Sequence, residues 1–92
     1  MKAIWKFGLD IIDVQTVSMP EGAKILSVQA QNGMPYLWAE VDVEATPKDR
    51  TIEIFGTGHP MRCDMGVSRE YIETFQIRGG QLVFHVYEYT GV

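Results

Sequence analysis

The chain has 92 residues, enough for one domain with a single hydrophobic core and too few for two. A hydrophobic share of 46% and a charged share of 22% are those of an ordinary globular protein and exclude a disordered chain. Its net charge is −4, with 12 acidic and 8 basic side chains, which argues against a nucleic-acid partner because such surfaces need clustered Lys and Arg.

Cysteine usage and the first residues of the chain bear on its cellular location. Cys63 is the one cysteine, so no intramolecular disulfide can form and a reducing compartment is expected. The opening MKAIWKFGLD lacks the apolar core and cleavage site of a signal peptide. No apolar run approaches the roughly 20 residues of a membrane-spanning helix. We therefore expect a cytoplasmic protein with no membrane partner.

Apolar residues recur with a period of two along the first part of the chain, which is typical of β-strands. One predicted strand covers AIWKFGLDI, with Trp5 and Phe7 on the same face. A second covers VQTVSMP and ends at a turn, Pro20-Glu21-Gly22. A hairpin follows, because Asn32-Gly33 separates two alternating runs, KILSVQAQ and MPYLWAEVD.

The second half of the chain predicts three more strands. A polar turn at residues 46–50 leads into the run TIEIFG. The alternation lapses over residues 57–69, and a short helical turn is predicted at residues 65–72. The last segment, EYIETFQIRGGQLVFHVYEY, reads as a second hairpin around Arg78-Gly79-Gly80.

These patterns predict a single all-β domain over residues 1–92, a small antiparallel barrel or sandwich of about seven strands with little or no helix. Because short β domains must protect their edge strands, we expect a homodimer or small homo-oligomer. The predicted core comprises Trp5, Phe7, Leu26, Val28, Leu37, Ala39, Val41, Ile52, Ile54, Phe75, Leu82, Phe84 and Val86.

The stretch FGTGHP, residues 55–60, raises the first question of function. In one interpretation it is only a turn, with Gly56 and Gly58 at positive φ where a strand leaves the sheet. In the other it is a binding loop, because Thr57, His59, Arg62 and Cys63 lie so close together, with Gly58 as a further candidate at its tip. The phosphate-binding and dinucleotide-binding fingerprints are both absent from it.

Metal binding and catalysis have weak support in the sequence. A zinc site needs three or four Cys and His ligands, whereas the chain offers Cys63, His59 and His85. A thiol–imidazole pair is not favoured by any spacing. We therefore predict no metal, no cofactor and no catalytic residue, and a protein that is not an enzyme.

Two predicted strands carry aromatic side chains on the face opposite their aliphatic residues. Tyr36 and Trp38 alternate with Leu37 in one strand, and His85 and Tyr87 alternate with Val86 in another. These are either central strands with one face covered by a loop, or an exposed aromatic patch that binds a partner.

The segments IWKF, MPEGAKILSVQAQNGMPYLWAEVD, TIEIFGTGHP and YIETFQIRGGQLVFHVYE together cover nearly the whole chain. In this order they resemble a family of small proteins of bacteriophages and of bacterial genomes that carry phage-like genes. FGTGHP and GGQLVFHVYE are the most distinctive parts. The family has no assigned activity, so the resemblance implies a context, an accessory protein acting in the host cytoplasm. MRCDMGVSRE departs from the family's short polar connector, so Arg62 and Cys63 are not carried over as functional residues.

The leading hypothesis is a phage-encoded, non-enzymatic protein that binds a host protein, with inhibition of antiviral defence as one such role. The alternative is a protein that binds or sequesters a small molecule such as a nucleotide. It would use the FGTGHP loop with Arg62, and Tyr36 or Trp38 would stack on the base. A minor virion component is the third hypothesis.

Overall fold

A computed structural model describes residues 1–61 and 68–91, which form an all-β domain as predicted. One 3-10 turn, Arg78–Gly80, accompanies the strands. The seven strands in this part of the chain are β1 (Lys2–Gly8), β2 (Val14–Pro20), β3 (Lys24–Gln31), β4 (Met34–Asp42), β5 (Pro47–Gly56), β6 (Ser68–Ile77) and β7 (Leu82–Gly91).

The strands form two antiparallel sheets. The three-stranded sheet has the order β1-β4-β3, and the four-stranded sheet has the order β2-β5-β7-β6. The two sheets pack face to face with β3 running beside β6, and the Cα atoms span 40 × 36 × 16 Å. Because the sheets do not join into one closed cylinder, the fold is a sandwich and not a barrel.

Both predicted hairpins are confirmed. In the β3–β4 hairpin Asn32 and Gly33 have φ values of 53° and 79°, the left-handed pair that a two-residue type I′ turn requires. In the β6–β7 hairpin Ile77 pairs with Leu82 around the 3-10 turn. The predicted helical turn is wrong for residues 68–72, which belong to β6. Residues 65–67 lie outside the described ranges.

The core lies between the sheets and contains most of the predicted side chains. Eight predicted residues are buried, namely Val28, Leu37, Ala39, Val41, Ile52, Ile54, Phe75 and Val86. Phe7 and Phe84 are partly buried and pack against them. The buried residues that the sequence prediction missed are Leu9, Val17, Met19, Pro20, Ala23 and Pro35.

Three residues were wrongly placed in the core: Trp5, Leu26 and Leu82 are 40%, 45% and 38% exposed. Leu26 is the extra residue of a β-bulge in β3, where the register with β4 shifts between Ile25 and Ser27. The bulge breaks the alternation, so Leu26 faces outward while Ile25 packs on the core. Trp5 lies on an edge strand, and Leu82 is the first residue of its strand, beside the turn.

An ion pair between Arg50 and Glu88 closes one end of the sandwich. The Arg50 Nε contacts Glu88 Oε2, Nη2 donates to Glu88 Oε1 at 2.8 Å, and Nη1 donates to the Ala23 carbonyl at 2.8 Å. The hydrogen bond to Glu88 raises the pKa of Arg50, against the lowering effect of burial. Because Ala23 directly precedes β3, one guanidinium links β5 and β7 to the other sheet.

Candidate functional site

The outer face of the four-stranded sheet carries polar and aromatic side chains. Ile52 and Ile54 of β5 and Val86 of β7 face the core, so the residues between them point away from it. The register places Thr51 opposite Tyr89, Glu53 opposite Tyr87, and Phe55 opposite His85. This face therefore carries a continuous row of cross-strand pairs, with Arg69 and Tyr71 of β6 beside it.

Aromatic rings stabilise the centre of this face. The ring centroids of Phe55 and Tyr87 are 5.7 Å apart, and those of Tyr71 and Tyr87 are 5.4 Å apart, both in edge-to-face geometry. Edge-to-face pairs at this distance are attractive beyond the area that they bury. Each ring also restricts its neighbours, so the face presents a preformed surface.

A second ion pair, Glu53–Arg69, lies within this face. Arg69 Nε donates to Glu53 Oε1 at 2.8 Å and Nη2 donates to Oε2 at 3.3 Å, a bidentate arrangement. The guanidinium carbon is 5.7 Å from the centre of the Phe55 ring, within cation–π range. The Arg69 side chain is only 16% exposed and the Glu53 side chain 13%, so the pair is fixed in place and shielded from solvent.

Beside the ion pair lies a depression of about 720 Å³. Phe55, Tyr89 and the Glu53–Arg69 pair line it, and Val14, His59 and Pro60 also contribute to its lining. Its volume lies in the range of about 300–1,000 Å³ that is typical of ligand pockets. The depression thus combines ring faces, aliphatic groups, the Glu53–Arg69 ion pair and the carboxylate of Asp13.

The FGTGHP loop begins with a tight turn. The His59 N–H donates to the Gly56 carbonyl at 3.0 Å, which closes a four-residue turn over residues 56–59. Gly58, the third residue of this turn, has a φ of 88°, and a type II turn requires a positive φ there. The expected positive φ is confirmed for Gly58 and wrong for Gly56, which stays in β5. A Cβ on Gly56 would lie 3.2 Å from Nδ1 of His59, so the missing side chain makes room for the imidazole ring.

Thr57 and His85 belong to a chain of hydrogen bonds across the same face. Tyr71 Oη lies 2.6 Å from Thr74 Oγ1, and Thr74 Oγ1 lies 2.9 Å from His85 Nδ1. His85 Nε2 lies 2.8 Å from Thr57 Oγ1, which donates to the Val83 carbonyl at 3.3 Å. Four side chains from β6, β7 and the turn are thereby joined.

The donor and acceptor roles in this series of hydrogen bonds follow from its last acceptor, the Val83 carbonyl. A carbonyl oxygen can only accept. Thr57 donates to Val83, so it accepts from Nε2–H of His85. In the tautomer with its single ring proton on Nε2, His85 Nδ1 accepts from the Thr74 hydroxyl, which then accepts from Tyr71. Both ring nitrogens of His85 thus have hydrogen-bond partners, and the ring positions neighbouring side chains. Among residues 1–61 and 68–91, no three His, Cys, Asp or Glu side chains are placed to hold a metal ion.

Tyr36 and Trp38 lie on the other side of the molecule, on the outer face of the three-stranded sheet. They alternate with Leu37 and Ala39, which are in the core. Their ring centroids are 6.3 Å apart, and Lys6 Nζ lies 4.1 Å from the centre of the Tyr36 ring. These two aromatic residues cannot share one compact site with Thr57 and His59.

A family model of a domain of unknown function, DUF7352, matches residues 1–91. The chain belongs to this family. No curated protein and no solved structure matches it. In the part of this DUF7352 domain that the structure describes, no helix is long and apolar enough to cross a membrane.

The structure thus divides the predicted site residues of this DUF7352 domain into two groups. Thr57, Gly58, His59, His85 and Tyr87 lie on or beside the outer face of the four-stranded sheet, and Tyr36 and Trp38 lie on the opposite face. Arg62 and Cys63 fall outside the described residues.

Of the ten described residues that line the depression, only His59 was among the predicted site residues; Glu53, Phe55, Arg69 and Tyr89 are among the nine that were missed. The alternation in TIEIFG places Glu53 and Phe55 on one face, which was a usable signal. The pairing of Glu53 with Arg69, 16 residues further along the chain, had no local signal.

Proposed function

We propose that this DUF7352 domain is a non-enzymatic binding protein, and that the depression beside the Glu53–Arg69 pair receives a side chain of a partner protein. The observation that supports this most is the preformed, concave aromatic lining on an otherwise open sheet face. Pockets that receive one anchoring side chain are where binding energy concentrates in protein interfaces.

The composition of the site favours a protein partner. Tyr, Phe, Met and Arg are enriched in protein interfaces, and the depression has Phe55, Tyr89 and Arg69 in its lining. Val14 in the lining is 55% exposed, and Met61, which follows Pro60, is 41% exposed. These apolar groups could bury themselves against a partner surface around the inserted side chain.

The polar groups of the depression indicate the chemistry of the inserted side chain. Glu53 and Arg69 pair with one another, and Asp13 adds a carboxylate to the lining, so the site does not favour an anionic side chain. Within the described ranges, the His59 ring and the Tyr89 hydroxyl have no hydrogen-bond partner. An aromatic or aliphatic side chain with a polar tip, such as tyrosine, would satisfy both the apolar lining and these two groups.

The host context of the proposal comes from the resemblance to phage proteins. Under it, the partner is a protein of the bacterial cytoplasm, and inhibition of an antiviral defence component is the role we propose. With the donor and acceptor roles given above, Thr57 accepts from His85 Nε2–H. This is the reverse of the arrangement in which a histidine base takes a proton from a hydroxyl nucleophile, and it favours binding over catalysis.

The test is affinity capture from bacterial lysate with matched variants. Val14→Arg places a long cation in the lining of the depression, and Leu26→Arg places the same group on the other sheet, where Leu26 is 45% exposed. We expect Leu26→Arg to capture the same partner as the wild type and Val14→Arg to lose it. His59→Ala should weaken the interaction by roughly 1–3 kcal/mol. Equal capture by both arginine variants would refute this site.

A nucleotide-sized small molecule is the second candidate occupant, favoured by the volume of about 720 Å³. Phe55 and Tyr89 would supply ring faces for stacking. A thermal-shift screen with nucleotides separates the two candidates, because only a ligand of the native state raises the melting temperature. A rise that Val14→Arg abolishes and Leu26→Arg keeps would support the small molecule.

A further inference from the structure

Among the described strands, only β4 pairs with β1, and it does so on one side of the β1 backbone. β1 is the outer strand of the order β1-β4-β3, so no described strand pairs with its other, open side. The Leu9 N–H donates to the Pro35 carbonyl at 3.0 Å, and the Val43 N–H donates to the Met1 carbonyl at 3.0 Å. Since hydrogen-bonded pairs alternate in an antiparallel ladder, the odd residues of β1 bond to β4. The N–H and C=O groups of Lys2, Ile4, Lys6 and Gly8 therefore point to the open side.

Several of the usual protections of an edge strand are absent from β1, although Lys2 is exposed on it. Natural edge strands carry prolines, bulges or lysines that prevent pairing. The register of β1 with β4 is continuous, and no proline occurs in the strand. Lys6 is directed away from the open side, because its Nζ lies over the Tyr36 ring and donates to Gln31 Oε1 at 2.7 Å.

β2, an outer strand of the four-stranded sheet, is better protected than β1. The Ile54 N–H donates to the Asp13 carbonyl at 3.0 Å, so the odd residues of β2 face β5. The open side of β2 then carries the backbone of Val14, Thr16, Ser18 and Pro20, and Pro20 has no N–H to donate. Of β1 and β2, β1 has the more complete set of unpaired backbone groups.

We propose that β1 pairs with β1 of a second copy of this chain, antiparallel about a twofold axis at Trp5, which joins the two three-stranded sheets into one sheet of six. Trp5 is the midpoint of Lys2–Gly8, so this register pairs the whole strand. Ile4 lies opposite Lys6 of the second copy, and Lys2 lies opposite Gly8. The side chains of Ile4 and Trp5, 64% and 40% exposed, become partly buried.

Charge and spacing select this register over its neighbours. A twofold axis at Ile4 would put Lys2 opposite Lys6, and an axis at Lys6 would put that lysine opposite itself; like charges in direct opposition are destabilising. At Trp5 the two indoles face one another in a pair without backbone hydrogen bonds, where Cα atoms approach to about 4.5 Å. The edge is thus self-complementary, which favours a second copy over an unrelated strand.

Sedimentation velocity with two proline variants tests the proposal. Ile4→Pro removes an N–H from the open side of β1 and leaves the ladder to β4 intact, whereas Thr16→Pro makes the same change on the open side of β2. We expect the wild type and Thr16→Pro to be dimers at about 100 µM and Ile4→Pro to be a monomer, all three with the same β-rich circular dichroism. If Ile4→Pro does not fold, Ile4→Lys provides the same test at this exposed position.

Several results would overturn the proposal. A wild type that stays monomeric at this concentration excludes the dimer, and a dimer that survives Ile4→Pro but not Thr16→Pro places the interface at β2. The expected result is an Ile4→Pro monomer that still captures a bacterial protein, because the depression that binds the partner is separate from the β1 edge.

Disulfide trapping tests the register. In a Cys63→Ser background, Trp5→Cys should give a crosslinked dimer on oxidation, because the two thiols meet at the twofold axis. Ile4→Cys should not, since diagonal positions in a sheet are about 7–8 Å apart. Crosslinking through position 4 alone would overturn the axis at Trp5.

Discussion

Replacing Arg50 with methionine tests whether one ion pair holds the two sheets together. The change removes the hydrogen bonds to Glu88 and the bond to the Ala23 carbonyl, and leaves the Glu88 carboxylate without its cation. Breaking a fully buried pair costs about 3–5 kcal/mol. The two side chains are 21% and 12% exposed, so water recovers part of the loss, and we expect a decrease of roughly 3 kcal/mol in the free energy of unfolding.

Thermal and urea unfolding measure this loss. For a domain of this size, it corresponds to a fall of roughly 12–24 °C in Tm. Lys48→Met on the same strand is the control, because Lys48 is exposed and should change stability by less than about 0.5 kcal/mol. The double variant Arg50→Met with Glu88→Leu should regain most of the loss, since no unpaired charge remains. A single variant as stable as Lys48→Met, or a double variant as unstable as the single, would refute the reasoning.

The pH dependence of this effect follows from the raised pKa of Arg50. The hydrogen bond to Glu88 is the largest cause, and attraction to the charges of Glu88 and Glu70 adds to it. A group whose pKa is raised by folding contributes its full stability below its unfolded pKa, which for an arginine lies far above pH 9, and loses it only as the pH rises through the folded value. The difference between the wild type and Arg50→Met should therefore be the same at pH 6 and pH 9, and a changing difference would assign it to another titrating group.

Three further predictions concern single positions, each measured by urea unfolding. Gly58→Ala should cost about 1–2 kcal/mol through its positive φ alone, since a Cβ there meets no atom within 4 Å. Gly56→Ala should displace the His59 ring, so the loss of stability that it causes should vanish in a His59→Ala background. A double-mutant cycle that gives no coupling between the two positions would contradict the contact. Leu26→Ser should change stability by less than about 0.5 kcal/mol, whereas Leu37→Ala should cost about 2–5 kcal/mol; similar losses would place Leu26 in the core after all.

The strands and hairpins were predictable because their signals are local. Asn32-Gly33 fixes a two-residue turn, and the alternating runs on either side fix the strands. The burial of individual residues was less predictable, since it depends on position within a sheet. Leu26 follows the period of two in the sequence, but a bulge changes its face, and Trp5 has a core-like pattern on a strand that turned out to lie at an edge.

The candidate site was predictable only in part, because its contacts join distant segments. Thr57 and His59 attracted attention as neighbours in the sequence, yet Thr57 contacts His85, 28 residues further along. Tyr36 and Trp38 looked equivalent to Tyr87 in pattern, but the pairing of strands placed them on opposite faces of the sandwich. Sheet order determines which aromatic residues meet, and a single sequence does not specify that order.

The position of β7 has a consequence for how the domain folds during synthesis. β7 is the last of the seven strands in sequence, yet it lies between β5 and β6 in the four-stranded sheet. Until the ribosome has made residues 82–91, β5 and β6 have no strand to join them, and the apolar side chains of Ile52, Ile54 and Phe75 lack much of their cover. The β3–β4 hairpin can form early, because its turn is local, but the four-stranded sheet must assemble after residue 91 has been translated. A nascent chain stalled before β7 would therefore be the species most exposed to aggregation and proteolysis.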